Sequence, residues 1–130
     1  AESSAKFGYP VHAIGVSPAV TLPTLAAAIG PGAARALALA GELIDGHEAH
    51  RLGLITHVVQ SAPDEPPALE RTTLELARDL ASKPPHALRV TKAWLNELDR
   101  TDDDSRFERF AGASATIAES DEAVSMLRAV

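Results

Sequence analysis

His47-Glu48-Ala49-His50 is the densest group of potential metal ligands and proton carriers in the chain. Two histidines three residues apart share one face of a helix. The zinc-hydrolase pattern His-Glu-x-x-His, however, needs a spacing of four. With no third ligand evident nearby, the group reads as a solvated helix face in a capping context, and no metal is expected. His12 can titrate near neutrality and stands beside Val11, which carries no proton. If that segment is extended, neighbouring side chains point to opposite faces. His12 would then face away from whatever Val11 faces, and a packing or surface role is expected for it. Ser17, Ser114 and Ser120 lack a Gly-x-Ser-x-Gly elbow, which argues against a serine hydrolase. Gly30-Pro31-Gly32 is followed by no Gly-Lys-Ser/Thr, so it is a helix junction rather than a phosphate loop. Asp102-Asp103-Asp104 reads as a solvated acidic turn rather than a cation site.

These residues must be held by local structure. The stretch Ala1 to Pro18, punctuated by Gly and Pro, suggests a strand end followed by a shaped loop. Thr24 to Ile29 and Ala33 to Ala40 are rich in Ala and Leu and predict two helices. Gly30-Pro31-Gly32 separates them, with Pro31 suited to a first turn. Glu42 to Ile44 predicts a short extended piece. Asp45 and Glu48 have the spacing of a capping box for a short helix ending near Gly53. Leu54 to Val59 is enriched in β-branched residues and predicts a strand. Gln60 to Pro67 carries three prolines and predicts a linker.

Beyond the linker the pattern is helical throughout. Leu69, Thr73, Leu76 and Leu80 share one face, and Lys83-Pro84-Pro85 interrupts it. Leu88, Thr91, Leu95 and Leu98 line the next helix. Phe107, Phe110, Ala111, Ser114, Ile117 and Ala118 define a third face, and Ser120 is placed to cap a last helix. The aromatic residues Trp94, Phe107 and Phe110 are expected in core or subunit contacts. The domain reading is 1–60 as an α/β segment, 61–67 as a linker and 68–130 as a helical region.

Composition narrows the function classes. The chain has 130 residues, enough for one domain, and a hydrophobic fraction of 45% that suits a packed core. Its formal net charge of −6 disfavours nonspecific nucleic-acid binding, for which phosphates require a basic surface. There is no cysteine, hence no disulfide framework and no thiolate nucleophile. The apolar run Ala33 to Ala40, interrupted by Arg35, is shorter than a membrane span. The opening residues lack the basic-then-apolar layout of a signal peptide. A cytoplasmic protein with no membrane contact is the expectation.

Phe7-Gly8-Tyr9-Pro10-Val11-His12-Ala13-Ile14-Gly15-Val16-Ser17-Pro18 resembles the F-G-x-P-E-V-x-L-G-L-x-P pattern of the crotonase superfamily of enoyl-CoA hydratases and isomerases. The block from Leu37 to Ile55 is similar to that family's L-x-L-T-G-x-x-I-x-A-x-E-A-x-x-x-G-L-V, and Pro85 to Lys92 also suits it. The resemblance covers nearly the whole chain and stops short of the family's terminal Phe-x-x-Lys-Arg stretch. It implies an α/β fold, a partial spiral core of ββα turns followed by a C-terminal helical region that drives trimer or hexamer packing. In this family the segment matching Ala1 to Phe7 ends a buried strand. The resemblance therefore also implies the C-terminal half of a longer polypeptide, or one part of a split one.

The implied substrate is an acyl-CoA thioester handled in fatty acid metabolism without a further cofactor. Pro10, Val11, His12, Pro18 and Ala19 are the implied lining of the acyl pocket. At the position of the family's acid/base glutamate stands Val11, so no catalytic residue is assigned. The family's two oxyanion-hole N–H groups belong to its N-terminal half. Losing one such donor costs about 10²–10³ in rate, and losing a positioned acid/base about 10²–10⁴. These 130 residues alone are therefore expected to be inactive. Val-His-Ala-Ile-Gly is also similar to crotonase-like 4-chlorobenzoyl-CoA dehalogenases, but their nucleophilic aspartate would fall at Ala19, which cannot attack. Three readings follow from the resemblance. One is a hydratase/isomerase-like enzyme, a lyase for hydration. The second is a decarboxylase-like relative, since those also lack this glutamate. The third is a noncatalytic subunit or fragment that oligomerises.

Overall fold

The computed structural model describes residues 1–60, 68–100 and 103–129. Ala and Leu dominate Leu22–Ala40, and this segment forms helix α1. Its helical backbone breaks at Gly30, with φ 77 and ψ 159, a conformation that glycine reaches without a Cβ clash. Pro31 then opens the second half of α1, where its missing N–H forfeits no helical bond. Leu25 from the first half and Ala34, Leu37 and Ala38 from the second form the buried cluster. Tyr9, Leu22, Ala26, Ile29, Ile44 and Leu54 pack around it. By length and composition alone, Ala19–Ala40 would suffice to cross a membrane, although Ala33 to Ala40 would not. The same helix supplies the whole buried cluster, through Leu25, Ala34, Leu37 and Ala38, whereas Leu39 is exposed.

Gly41 ends α1 in the left-handed conformation, and the chain returns to the opening residues. Phe7 and Ile44 exchange both backbone hydrogen bonds, at 2.9 and 2.8 Å, in an isolated antiparallel bridge. The Gly46 N–H donates to the Ser3 carbonyl at 3.0 Å. Asp45 then caps α2, Gly46–Arg51, its carboxylate accepting from the Glu48 N–H at 2.9 Å. Glu48 does not reach back to complete the capping box. Its carboxylate instead accepts from two of the three Arg51 guanidinium nitrogens, Nε and Nη2, at 2.7 and 2.5 Å. Beyond α2, Val59 bridges in parallel to Glu2, with the Val59 N–H on the Ala1 carbonyl and the Ser3 N–H on the Val59 carbonyl, both at 2.9 Å.

Among the described residues beyond position 60 there are four helices: α3, Ala68–Ala81; α4, Pro85–Asp99; α5, Asp104–Ala118; and α6, Asp121–Arg128. Pro85 starts α4 as a first-turn proline, and the Ser120 hydroxyl accepts from the Ala123 N–H at 3.2 Å to cap α6. The helical region folds back on the first sixty residues, with α5 and α6 packed on the segments between Pro10 and Thr21. The proposed linker 61–67 lies outside the described residues, as do Thr101 and Asp102 of the acidic turn.

Two expectations are corrected. Leu54 to Val59 is not a strand. A turn covers Leu52 to Leu54 and pairing is confined to Val59, because β-propensity reports fit to a sheet surface and only Ala1 to Ser3 pairs with it here. The segment around Val11 is not extended but wound into a 3₁₀ turn, Pro10–Ile14. Among the described residues the two bridges are the whole of the β structure.

The accessible surface is 9197 Å², whereas a closed globular monomer of 13.6 kDa would expose about 6,600 Å². Among the described residues no large side chain is fully buried. α4 contributes most conspicuously, with Val90, Trp94, Leu95 and Leu98 all exposed, Trp94 at 67% and Leu98 at 76%.

The cap at Asp45 makes stability depend on acid. The hydrogen bond from the Glu48 N–H, helped by the nearby His47 and Lys6 charges, holds the Asp45 carboxyl below its ordinary 3.8. A depressed folded-state pKa means the contribution is full above the unfolded value and is lost as pH falls through the folded one. Asp45→Asn keeps a capping oxygen that does not titrate. Followed by urea midpoints from about pH 6 to about pH 2.5, the wild type should lose stability below about pH 4 more steeply than Asp45→Asn.

Candidate functional site

The turn that carries Val11 is built from local rules. Tyr9 precedes it, Pro10 supplies a fixed φ at its first position, and Gly15 ends it in the left-handed region at φ 71. The Gly15 N–H donates to the His12 carbonyl and the Val16 N–H to the Val11 carbonyl, both at 3.1 Å. With about three residues per turn, neighbouring side chains stand about 120° apart. Val11 is half-buried, while Pro10, His12 and Ala13 are exposed. Pro18 is half-buried and leads into a second 3₁₀ turn, Ala19–Thr21, in which Ala19 is buried at 6% exposure. The Thr21 N–H and hydroxyl both donate to the Pro18 carbonyl, at 3.0 and 2.9 Å.

Pro10, Val11 and His12 thus share one turn, and Pro18 and Ala19 begin the next. The first turn rests on α6, and the second lies between α1 and α5. Val11 presents an isopropyl group, which carries no proton, and its neighbour His12 is exposed to solvent. His47 and His50 are likewise exposed on α2. Glu48 between them is committed to Arg51, which holds its carboxyl below the ordinary value. Among the described residues no three His, Cys, Asp or Glu side chains converge to hold a metal ion.

Sequence reasoning missed a cavity of about 400 Å³ next to the Val11 turn, lined by Lys6, Phe7, Gly8, Tyr9, Leu37, Leu54 and Ile55. It joins three segments distant in sequence. The only local signal was an aromatic pair, Phe7 and Tyr9, beside Lys6. The position offers apolar walls with one cation at the rim, a suitable combination for an acidic ligand with a hydrophobic portion.

The family model for enoyl-CoA hydratase/isomerase matches residues 1–124. The chain belongs to this family. It is 38% identical over 108 residues to a crotonyl-CoA hydratase of Syntrophomonas wolfei, an alignment covering 80% of this chain and 38% of that protein. It is 36% identical over 98 residues to the mitochondrial methylglutaconyl-CoA hydratase of Mus musculus, covering 75% of this chain and 31% of the relative. Its fold matches the crystal structure of an enoyl-CoA hydratase/isomerase from Pseudoalteromonas atlantica with a TM-score of 0.85 at 26% identity, over 98% of this chain and 50% of the other. The chain therefore spans between about a third and half of the length of the proteins it matches. The fold is a partial α/β crotonase fold, here mostly helical.

A Cβ at Gly15 would stand 2.8 Å from the Ala123 Cα, on a backbone at φ 71 that disfavours side chains. Gly15→Ala should cost about 1–3 kcal/mol through overpacking and backbone strain. At Gly112, inside α5, an added Cβ meets nothing within 4 Å. Gly112→Ala should gain about 0.5–1 kcal/mol. Urea unfolding of the two variants side by side checks the contrast in sign.

Proposed function

We propose that this chain forms the acyl-pocket and helical part of a crotonase-family acyl-CoA enzyme, hydratase/isomerase-like in ancestry, whose usual glutamate is replaced by Val11. The family match over residues 1–124 carries the reading. Pro10, Val11, His12, Pro18 and Ala19 line the acyl site, and the CoA thioester is substrate, with no separate cofactor. Val11 cannot deliver or accept a proton, so hydration by a pair of glutamates is not available through this turn. The protein either uses an acid/base from outside these residues or runs a reaction that needs none here, of the decarboxylase kind. The 130 residues alone are inactive on this reading, since the oxyanion-hole donors lie elsewhere in the family's fold.

A second reading is favoured by the same valine together with the exposed apolar face of α4. In it the chain is a noncatalytic piece that assembles with other copies. Both readings place homo-oligomer contacts, trimeric or hexameric, on this helical region. Both take the protein as cytoplasmic, acting on neither nucleic acid nor membrane. The net charge of −6 supports the exclusion of nucleic acid.

Two measurements test these proposals. In the full protein, Val11→Glu should raise hydration of crotonyl-CoA by about 10²–10⁴ over the parent, the range of one positioned acid/base. An unchanged rate would show that more than this carboxylate is missing and would favour the noncatalytic reading. For assembly, Leu98→Glu places a charge in the exposed stripe of α4. Light scattering should then report a mass near one copy where the parent is oligomeric, and an unaltered mass would remove α4 from the contact.

A further inference from the structure

We infer that the α5–α6 hairpin is a latch that sets the position of the Val11 turn, with Ser114 and Ala123 as its positioning residues. Its bearing on acyl binding rests on the reading of that turn given above. The Val16 N–H holds the Val11 carbonyl at 3.1 Å. One residue beyond Val16, the Ser17 carbonyl accepts from the half-buried Ser114 hydroxyl on α5 at 3.1 Å, a bond spanning 97 residues of sequence. Val16 and Ser17 together therefore tie the turn to α5.

The same end of the turn is also held by contact. Gly15 lies so close to α6 that an added Cβ would meet the Ala123 Cα at 2.8 Å, the Ala123 nitrogen at 3.1 Å and the Met126 sulfur at 3.3 Å. Ala123 has no exposed surface. It is also the residue whose N–H is capped by Ser120. The cap that starts α6 thereby fixes the atom against which the site turn rests. The Ser114 hydroxyl and the Ala123 backbone both act on the short segment Gly15 to Ser17 that follows the turn, so a shift of the hairpin is transmitted to Val11.

Hydrogen exchange on the full protein, with and without crotonyl-CoA, tests this. Ser114→Ala should speed exchange of the Gly15 and Val16 amides by about 2- to 12-fold, the factor equivalent to one neutral hydrogen bond. Leu37 and Ala38 in α1 should be unchanged. Ser114→Thr, which keeps the hydroxyl, should retain the parent's protection, as should Thr116→Ala on the same helix. Crotonyl-CoA should slow the same two amides in the parent, and Ser114→Ala should weaken its binding by the same factor. Unchanged turn amides in Ser114→Ala, or an increase that extends equally to Leu37 and Ala38, would overturn the latch. Loosened turn amides together with no crotonyl-CoA effect in the parent would uphold the latch and overturn the acyl reading instead.

Discussion

The buried cluster on α1 is the constraint to which the remaining structure answers. Leu25, Ala34, Leu37 and Ala38 are few for a core, and they come from two helical segments that meet because Gly30 redirects the chain. Tyr9, at the entrance to the Val11 turn, packs on this cluster together with Ile44 and Leu54. The site turn, the bridge partner of Phe7 and the wall of the neighbouring cavity therefore share one support. Its two alanines offer close approach rather than large buried area, and at about 25 cal/mol per Å² of apolar surface they contribute less than Leu25 and Leu37 do. The excess accessible surface expresses the same fact on the outside.

With so modest a core, the position of the site turn depends on hydrogen bonds and on close backbone approach. One neutral hydrogen bond contributes about 0.5–1.5 kcal/mol, too little to define a turn alone. The Ser17–Ser114 bond gains its effect from the Gly15–Ala123 contact beside it, because a segment held at both ends loses the freedom to pivot. Within the helical region, α5 and α6 are then the floor on which the Val11 turn and the turn after it rest.

What was legible in the sequence divides along the range of the interaction. The Gly30 break, the first-turn prolines Pro31 and Pro85, and the caps at Asp45 and Ser120 are each decided within about four residues, and local chemistry suffices to read them. The family motif around Phe7 to Pro18 was legible for the same reason, since it is a contiguous pattern. Leu54 to Val59 failed as a strand because strands exist only through partners, and here one residue finds one. The 3₁₀ winding of Pro10 to Ile14 was hidden because its proline fits an extended stretch as readily as a turn. The cavity near Lys6 and the Ser114 latch join segments far apart in sequence, and no periodicity announces such a pair. Glu48 matched the capping box in spacing yet chose Arg51, since a bidentate ion pair outcompetes one further N–H bond.

Replacing a carboxylate by an isopropyl group does more than delete a proton carrier. A buried carboxylate must be solvated by the site or by water, which keeps a polar neighbourhood around the substrate. If the turn lines the acyl site as proposed, valine removes that demand and leaves an apolar wall, favouring a dry acyl chain over an attacking water. Such a wall disfavours hydration, which needs water activated at this position, and tolerates reactions whose charge develops only at the thioester oxygen. The fold of the family can persist through this change because the α1 cluster and the hairpin latch make no use of the side chain at position 11. On the proposed reading, architecture and reaction are thus carried by separable residues, and Val11 belongs to the second.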